Sequence, residues 1–413
     1  MSDIMNNNFI NTENIFERRY SMKKKFSVFF ILFAFMLSLG ALGTLKIKGK
    51  VFADNAFAVS SKSVVLMDFN SGTTIYSKNE KEHLPIASMC KIMTLLLTFE
   101  EIDCGNFGEN DDIVVSENAA GMGGSQVFLE ANAEYKVKEL IKSIVVASAN
   151  DSCVAMAERI CGSESAFVER MNERANELGM NDTVFTNCTG LPKPGQYSCA
   201  KDVSVMFCEL LKHEDYFNYS GIWMDKIVHP KGRETMISNT NKLVRFYNGC
   251  DGGKTGYTSE AGHCLSASAM RDGMRLICVV ISSPDSKTRF REVSEMFNYG
   301  FANYTNKLII DKNAPLDVPV TVEKGKKDTI SVVPENSFYV FSAKNDKKAF
   351  EIDFKPCEKI VAPVKAGDEV GKVLIYENGI EIGSVKVVSA EDVEKKVYFD
   401  YVGDVINDWS IAK

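Results

Sequence analysis

Residues 85–100 read PIASMCKIMTLLLTFE. Pro85 breaks what precedes it, and the spacing that follows predicts a helix from Ser88 to about Glu100. Ile92, Met93, Leu95, Leu96, Leu97 and Phe99 lie on most sides of that helix. A helix that is apolar all round belongs in the middle of a domain. Lys91 sits in this apolar run, three residues after Ser88 and on the same face. A serine is a weak nucleophile until a base takes its proton. Burial beside a second cation lowers the pKa of a lysine, so Lys91 can be that base. The amide groups and dipole at the helix start favour negative charge next to Ser88. In isolation, Ser-x-x-Lys is usually a capping serine with a surface lysine. Here the flanking residues bury the lysine. The same spacing at Ser21 and Lys24 falls in a targeting segment and carries no chemistry.

Two further short motifs follow in order: Ser148-Ala149-Asn150 and Lys254-Thr255-Gly256. Ser148 comes after the apolar run Ile144–Ala147 and can relay a proton between Lys91 and a leaving amine. Asn150 can both donate to and accept from a substrate amide. Alone, the cluster would be a helix terminus or turn. Lys254 is the candidate second cation and Thr255 offers a hydroxyl to a carboxylate. Gly256 lets substrate backbone approach a strand closely. Alone, this motif would be an ordinary edge strand. An oxyanion hole needs two converging N–H groups, and Ser88 and Tyr257 are the natural pair. Arg289 is read two ways, as a fork for a substrate carboxylate or as a surface residue. The four histidines, 83, 213, 229 and 263, form no triad pattern and receive no role.

Outward from these motifs, residues 63–77 (SVVLMDFNSGTTIYS) read as two strands around a turn at Asn70-Ser71-Gly72. Residues 137–163 and 164–178 have helical spacing. Residues 249–283 return to strands, with a hairpin turn at Arg271-Asp272-Gly273, and 287–304 to helix. Strands at both ends with helices between them predict an α/β (α+β) domain over 54–307, an antiparallel sheet flanked by helices. Alternation at Val318/Val320/Val322, Val373/Ile375 and Ile380/Ile382 predicts a small all-β domain over 308–395. The tail, 396–413, puts Val397, Tyr401, Val405, Ile406 and Trp409 on one helical face. It either packs on its own domain or rests on a membrane surface. Its Asp400, Asp404 and Asp408 are unlike the basic polar face that membrane helices usually carry.

Lys23-Lys24-Lys25 followed by the uncharged run 26–45 predicts an export signal over residues 1–53, with cleavage patterns ending at Ala53 and Ala58. A retained anchor is the alternative, since such a run just spans a bilayer. The expected location is the outer face of the cell membrane or the wall. Net charge is −7, and the first 53 residues hold eight Lys/Arg against three Asp/Glu, leaving about −12 on the remainder. That balance argues against nucleic acid as a partner and against a simple electrostatic grip on anionic lipid or wall polymer. Eleven scattered cysteines contain no C-x-x-C pair and no zinc spacing, so no metal or other cofactor is expected. Most read as small core residues. So many thiols in an exported chain suggest surroundings that do not drive disulfides.

The order S-x-x-K, S-x-N, K-T-G is the signature of penicillin-recognising serine enzymes. Together with FVERMNERANELGMNDTVFTNCTGL and NKLVRFYNGCDGGKTGYTSEAGHC, it resembles the low-molecular-weight penicillin-binding proteins, more narrowly the S11 D-alanyl-D-alanine carboxypeptidases. The resemblance covers about residues 60–305, and the β domain is similar to the family's C-terminal domain. It implies a β-lactamase-like transpeptidase fold and removal of the terminal D-alanine from peptidoglycan stem peptides. It also implies covalent inhibition by β-lactams. By the same resemblance Ser88 is the nucleophile, Lys91 the base and Ser148 a proton relay. Asn150, Lys254, Thr255 and Arg289 bind substrate, joined by Gly256 and Tyr257 on the reading of the residues above. Cys199 stands where the family usually has Thr, and Cys90 within S-x-x-K is unusual and open to oxidation. A class A β-lactamase is the alternative enzyme, though no E-x-x-L-N segment lies between Asn150 and Lys254. A non-catalytic wall-binding relative is the other alternative.

Overall fold

The computed structural model describes residues 58–411; the expected signal segment, 1–53, lies outside them. In chain order, β1 (Ser63–Asp68) and β2 (Thr74–Lys78) form a hairpin, and a 3₁₀ turn, Ala87–Cys90, leads into α1 (Lys91–Asp103). The pair β3 (Asp112–Val114) and β4 (Glu134–Lys136) brackets a long loop. Helices α2 (Val137–Ala147), α3 (Asn150–Cys161), α4 (Glu164–Glu177) and α5 (Ala200–Leu210) follow. A second hairpin, β5 (Met224–Val228) and β6 (Glu234–Ser238), precedes three long strands, β7 (Cys250–Thr258), β8 (Gly262–Arg271) and β9 (Met274–Ser283). Then come α6 (Ser286–Asn303) and β10 (Tyr304–Ile310).

The main sheet has the order β2-β1-β9-β8-β7, antiparallel throughout, so the first hairpin closes onto a strand far along the chain, with Ser63 opposite Ile281 and Asp68 opposite Leu276. Both faces are covered, which explains the near-continuous apolar runs of β1 and β9. Val65, Met67, Ile277, Val279 and Ile281 face the helical layer built on α1. Val64, Leu66, Leu276, Cys278 and Val280 face α6 through Val293, Met296 and Phe297. The period of two along each strand separates the two cores. Buried Glu292 of α6 accepts hydrogen bonds from the Ser60 and Ser61 amides and the Ser61 hydroxyl, fixing the chain as it enters β1.

The continuous helix expected over 137–163 is broken. Ser148 adopts a left-handed conformation, φ 63°, that ends α2, and α3 restarts at Asn150. Leucine-like periodicity runs through the break because both helices bury apolar faces, so spacing alone does not reveal it.

The C-terminal strands are β11 (Leu316–Thr321), β12 (Thr329–Pro334), β13 (Phe338–Ala343), β14 (Phe350–Pro356), β15 (Glu369–Glu377) and β16 (Ile380–Ser389). Five form the antiparallel sheet β11-β12-β16-β15-β14 over a Val/Ile core, while β13 pairs with β10. Asn306 of β10 donates to Asp68 of β1 at 3.0 Å. A last helix, α7 (Tyr398–Ile411), leaves Tyr401 and Ile406 exposed, as is Val397 just before it, so the described part of the apolar face is not packed on the β domain. No helix among the described residues is long and apolar enough to cross a membrane.

Phe297 is fully buried between the sheet and α6. Phe297→Ala is expected to cost about 3–5 kcal/mol, read from the urea midpoint of the catalytic unit's transition.

Candidate active site

The residue before the candidate nucleophile is held in an uncommon conformation. Ala87 has φ 47°, a left-handed value that costs a non-glycine residue energy unless its surroundings impose it. Two glycines impose it. A Cβ added at Gly190 would lie 2.0 Å from the Ala87 carbonyl oxygen. One added at Gly256 would lie 2.7 Å from the Ile86 oxygen and 3.1 Å from the Ser88 nitrogen. The backbone of 86–88 is therefore gripped between the 187–190 turn and β7, with the Ser88 amide against Gly256. Ser88 is half-buried and is the second residue of the 3₁₀ turn, one turn ahead of α1 proper.

The first turn of α1 is stitched to the 187–190 segment by three successive donors. The Cys90 thiol donates to the Asn187 carbonyl at 3.2 Å and Lys91 Nζ to Thr189 at 2.5 Å, and the Thr94 hydroxyl donates to Cys188 at 2.8 Å. The Asn187 side chain accepts from the Thr189 and Gly190 amides and so forms the turn. Thr189, Gly190 and Asn187 are site-building residues that the sequence reading left unassigned. Their signal was the Thr-Gly pair inside NCTGL, where a glycine is required at φ 80°. Cys90 is fully buried and burial pushes its thiol far above the usual range. The exposed, low-pKa character of an oxidisable cysteine is missing.

Lys91 Nζ also donates to Ser88 Oγ at 3.0 Å. Lys254 Nζ donates to Ser148 Oγ at 2.8 Å and to the Thr255 carbonyl at 3.1 Å. Ser148 owes its position to the left-handed break between α2 and α3, a strained geometry of the kind stored at functional sites. Both amines are buried. Desolvation holds Lys91 below the ordinary lysine range. It holds Lys254 well below, and repulsion from Lys91 adds to the effect. Repulsion is mutual, so the pocket disfavours two full positive charges at once.

Asn150 opens α3. Its Nδ2 donates to the Gly123 carbonyl at 2.7 Å, which fixes the direction of the amide. Thr255 is buried beside Lys254 on β7, the edge strand of the main sheet. Tyr257 is largely exposed, its ring stacked on His263 of β8 at 4.4 Å between centroids. Arg289 is not a surface residue. It is buried on α6, where Nη1 donates to the Gly256 and Cys264 carbonyls at 3.1 Å each, and the guanidinium lies over Phe290. It thus clamps the β7–β8 backbone, and its buried Nε has no hydrogen-bond partner among the described residues. Cys199 caps α5 by accepting from the Asp202 amide at 3.4 Å, the task a threonine hydroxyl performs at such a position. Asp182, Cys199 and Asp202 have ligand atoms within 4.8 Å of one another, but the cluster is committed to hydrogen bonds.

The fold thus brings Ser88 to Lys91, and Ser148 to Lys254, at the edge of an antiparallel sheet. A hydroxyl bonded to a buried, carboxylate-free amine marks the class of acyl-transfer enzymes with an active-site serine and a lysine base. The chain belongs to the D-alanyl-D-alanine carboxypeptidase family of S11 peptidases, which matches residues 50–285; residues 304–395 match the penicillin-binding protein 5 C-terminal domain. It is 39% identical to D-alanyl-D-alanine carboxypeptidase DacF of Bacillus subtilis, over 86% of this chain and 92% of that protein. It is similar in structure to penicillin binding protein 5 of Haemophilus influenzae, with 27% identity and a TM-score of 0.64, over 83% of this chain and 100% of that one. A peptidoglycan synthesis regulatory factor (PBP3) of Streptococcus pneumoniae shares 25% identity, with a TM-score of 0.69 over 82% of this chain and 100% of that one.

Gly190→Ala would force both a disfavoured φ and a clash with the Ala87 carbonyl. Acylation of Ser88 by a fluorescent penicillin is expected to slow on the order of 100-fold, the penalty of a reactive group displaced by about an ångström.

Proposed function

We propose that the protein removes the terminal D-alanine from peptidoglycan stem peptides through an acyl-enzyme on Ser88. The observation that carries this reading is the 3.0 Å contact between Lys91 Nζ and Ser88 Oγ, made by an amine that burial biases toward its neutral, proton-accepting form. Family membership supplies the peptidase chemistry and the D-alanyl-D-alanine specificity.

In the first half-reaction Ser88 Oγ attacks the carbonyl of the penultimate D-alanine and its proton passes to Lys91. The Ser88 and Tyr257 amides donate hydrogen bonds to the developing oxyanion. Collapse breaks the peptide bond, and the proton that Lys91 took passes through Ser148, which Lys254 orients, to the leaving amine of D-alanine. Thr255 and the guanidinium charge of Arg289 favour the substrate's terminal carboxylate, whose own negative charge in turn favours the charged form of Lys254. Asn150 holds the peptide amide, and Gly256 keeps the strand bare for close approach. In the second half-reaction Lys91 takes a proton from the water that attacks the ester and returns it to Ser88 Oγ as the ester bond breaks and the shortened peptide leaves. A β-lactam presents a strained amide to the same hydroxyl, forming an ester that the site hydrolyses slowly. Function at the outer face of the membrane after export fits the charge and signal pattern of residues 1–53.

Ser88→Ala is expected to abolish D-alanine release from a pentapeptide and covalent penicillin labelling by mass spectrometry, whereas Cys90→Ser keeps most activity. Undiminished turnover by Ser88→Ala would exclude the mechanism. Rapid hydrolysis of penicillin without D-alanine release would instead favour a β-lactamase. Lys91→Arg is expected to be nearly inactive, because arginine does not give up its proton.

Acylation should also depend on pH in a defined sense. Neutral Lys91 is the reactive form, and its folded pKa lies below the ordinary 10.5. The rate of penicillin acylation therefore rises with pH through a limb below 10.5 and is lost as pH falls through it. A limb at or above that value would remove Lys91 as the base.

A further inference from the structure

The loop between β3 and β4 passes over the start of α3 and is fastened at both ends. At its near end the Asn150 amide donates to the Gly123 carbonyl, and the Asn150 backbone N–H donates to Ser125 O, each at 2.7 Å. The adjoining Gly124 has φ 78°, and a Cβ there would lie 2.8 Å from Asn150 Nδ2. Farther along, the buried carboxylate of Asp151 accepts from the Val127 and Leu129 amides at 3.1 Å. The loop's course and the Asn150 side chain are thus set together.

At its far end the loop is held by the β5–β6 hairpin. Arg233 donates to the Phe128 carbonyl and pairs with Glu130 at 3.5 Å. The Glu130 amide donates to the Tyr135 hydroxyl at 3.1 Å, and that hydroxyl lies 2.7 Å from His229 Nδ1. His229 Nε2 lies 2.9 Å from the Thr235 hydroxyl. Tyr135 and His229 are both buried. The protons can be assigned from these partners. Tyr135 accepts from Glu130, so its own proton goes to His229 Nδ1; His229 then carries its proton on Nε2 and donates it to Thr235. Burial and nearby Arg233 favour this neutral imidazole, opposed by Glu130 and Asp151. No step of the acyl transfer uses either residue.

We propose that Tyr135 and His229 are positioning residues for the acyl-transfer reaction: they clamp the far end of the 121–133 loop, and the loop's Gly123 carbonyl in turn aims the Asn150 amide at the substrate. The proposal rests on the reading of Asn150 as a substrate-binding group. Loosening the clamp lets the loop shift and frees the Asn150 amide to rotate, while Ser88, Lys91, Ser148 and Lys254 keep their contacts. The defect therefore falls on recognition of the peptide amide rather than on the nucleophile.

The test is a double-mutant cycle on D-alanine release from a pentapeptide, using the full mature chain. Tyr135→Phe and His229→Ala are each expected to lower kcat/KM about tenfold, the size of coupling typical for residues in one hydrogen-bond network, mainly through KM. His229→Gln, which can both accept from Tyr135 and donate to Thr235, should recover most of the loss. In an Asn150→Ala background, Tyr135→Phe should have almost no further effect. If the two losses multiply instead, the clamp does not act through Asn150 and the proposal is overturned. An unchanged KM in Asn150→Ala would show that the underlying reading of Asn150 is wrong, a separate failure visible in the single variant. Tyr135→Phe removes one oxygen atom and carries the same test if His229→Ala does not fold.

Discussion

The site depends on keeping a lysine amine out of water without a carboxylate to neutralise it. Lys91 is fully buried, and its bonds go to a carbonyl and to the Ser88 hydroxyl. Lys254 is placed alike, on the Ser148 hydroxyl and a carbonyl. Neither has an ion-pair partner among the described residues. Moving a charge out of water costs several kcal/mol per ion even after relaxation, so a fold that buries amines this way works against itself. A carboxylate would relieve that cost but would also lock the amine in its charged form. Hydroxyls and carbonyls tolerate both states. The greasy α1, the stitched 187–190 turn and the sheet covered on both faces together supply the packing that sustains this arrangement.

What could be read in the sequence was whatever chemistry is local. Ser88 and Lys91 lie on one turn, so three residues of spacing already imply contact. The β7–β9 strands were legible because runs of apolar residues separated by an Asp-Gly turn have few other solutions. The break at Ser148 was not, since its left-handed backbone follows from tertiary packing while the apolar spacing continues across it. The β5–β6 hairpin was hidden for a different reason. Its outward face carries Met224, Val228 and Met236, and its inward face includes Asp225 and Thr235, so the usual alternation is blurred. Arg289 was ambiguous because the partners of a long side chain on α6 lie on strands about 30 residues earlier.

The sheet also explains why distant segments of the chain can share one site. β7 is the edge strand, and its neighbour β8 connects it through β9 to β1, whose entry is anchored on Glu292. A shift of one residue in the β7–β8 register would move Lys254 and Gly256 to the other face, since side-chain direction alternates along a strand. Arg289 bonds to carbonyls on both strands and so pins this register directly from α6.

All eleven cysteines are unpaired, six of them buried and only Cys104 and Cys357 exposed. Thiol oxidation proceeds through the thiolate and needs access, so the packed interior removes most of these sulfurs from reaction. Before collapse, every one of them is open to attack. The chain is thus in a race between compaction and oxidative capture, and once compact it is shielded by its own density rather than by any covalent cross-link.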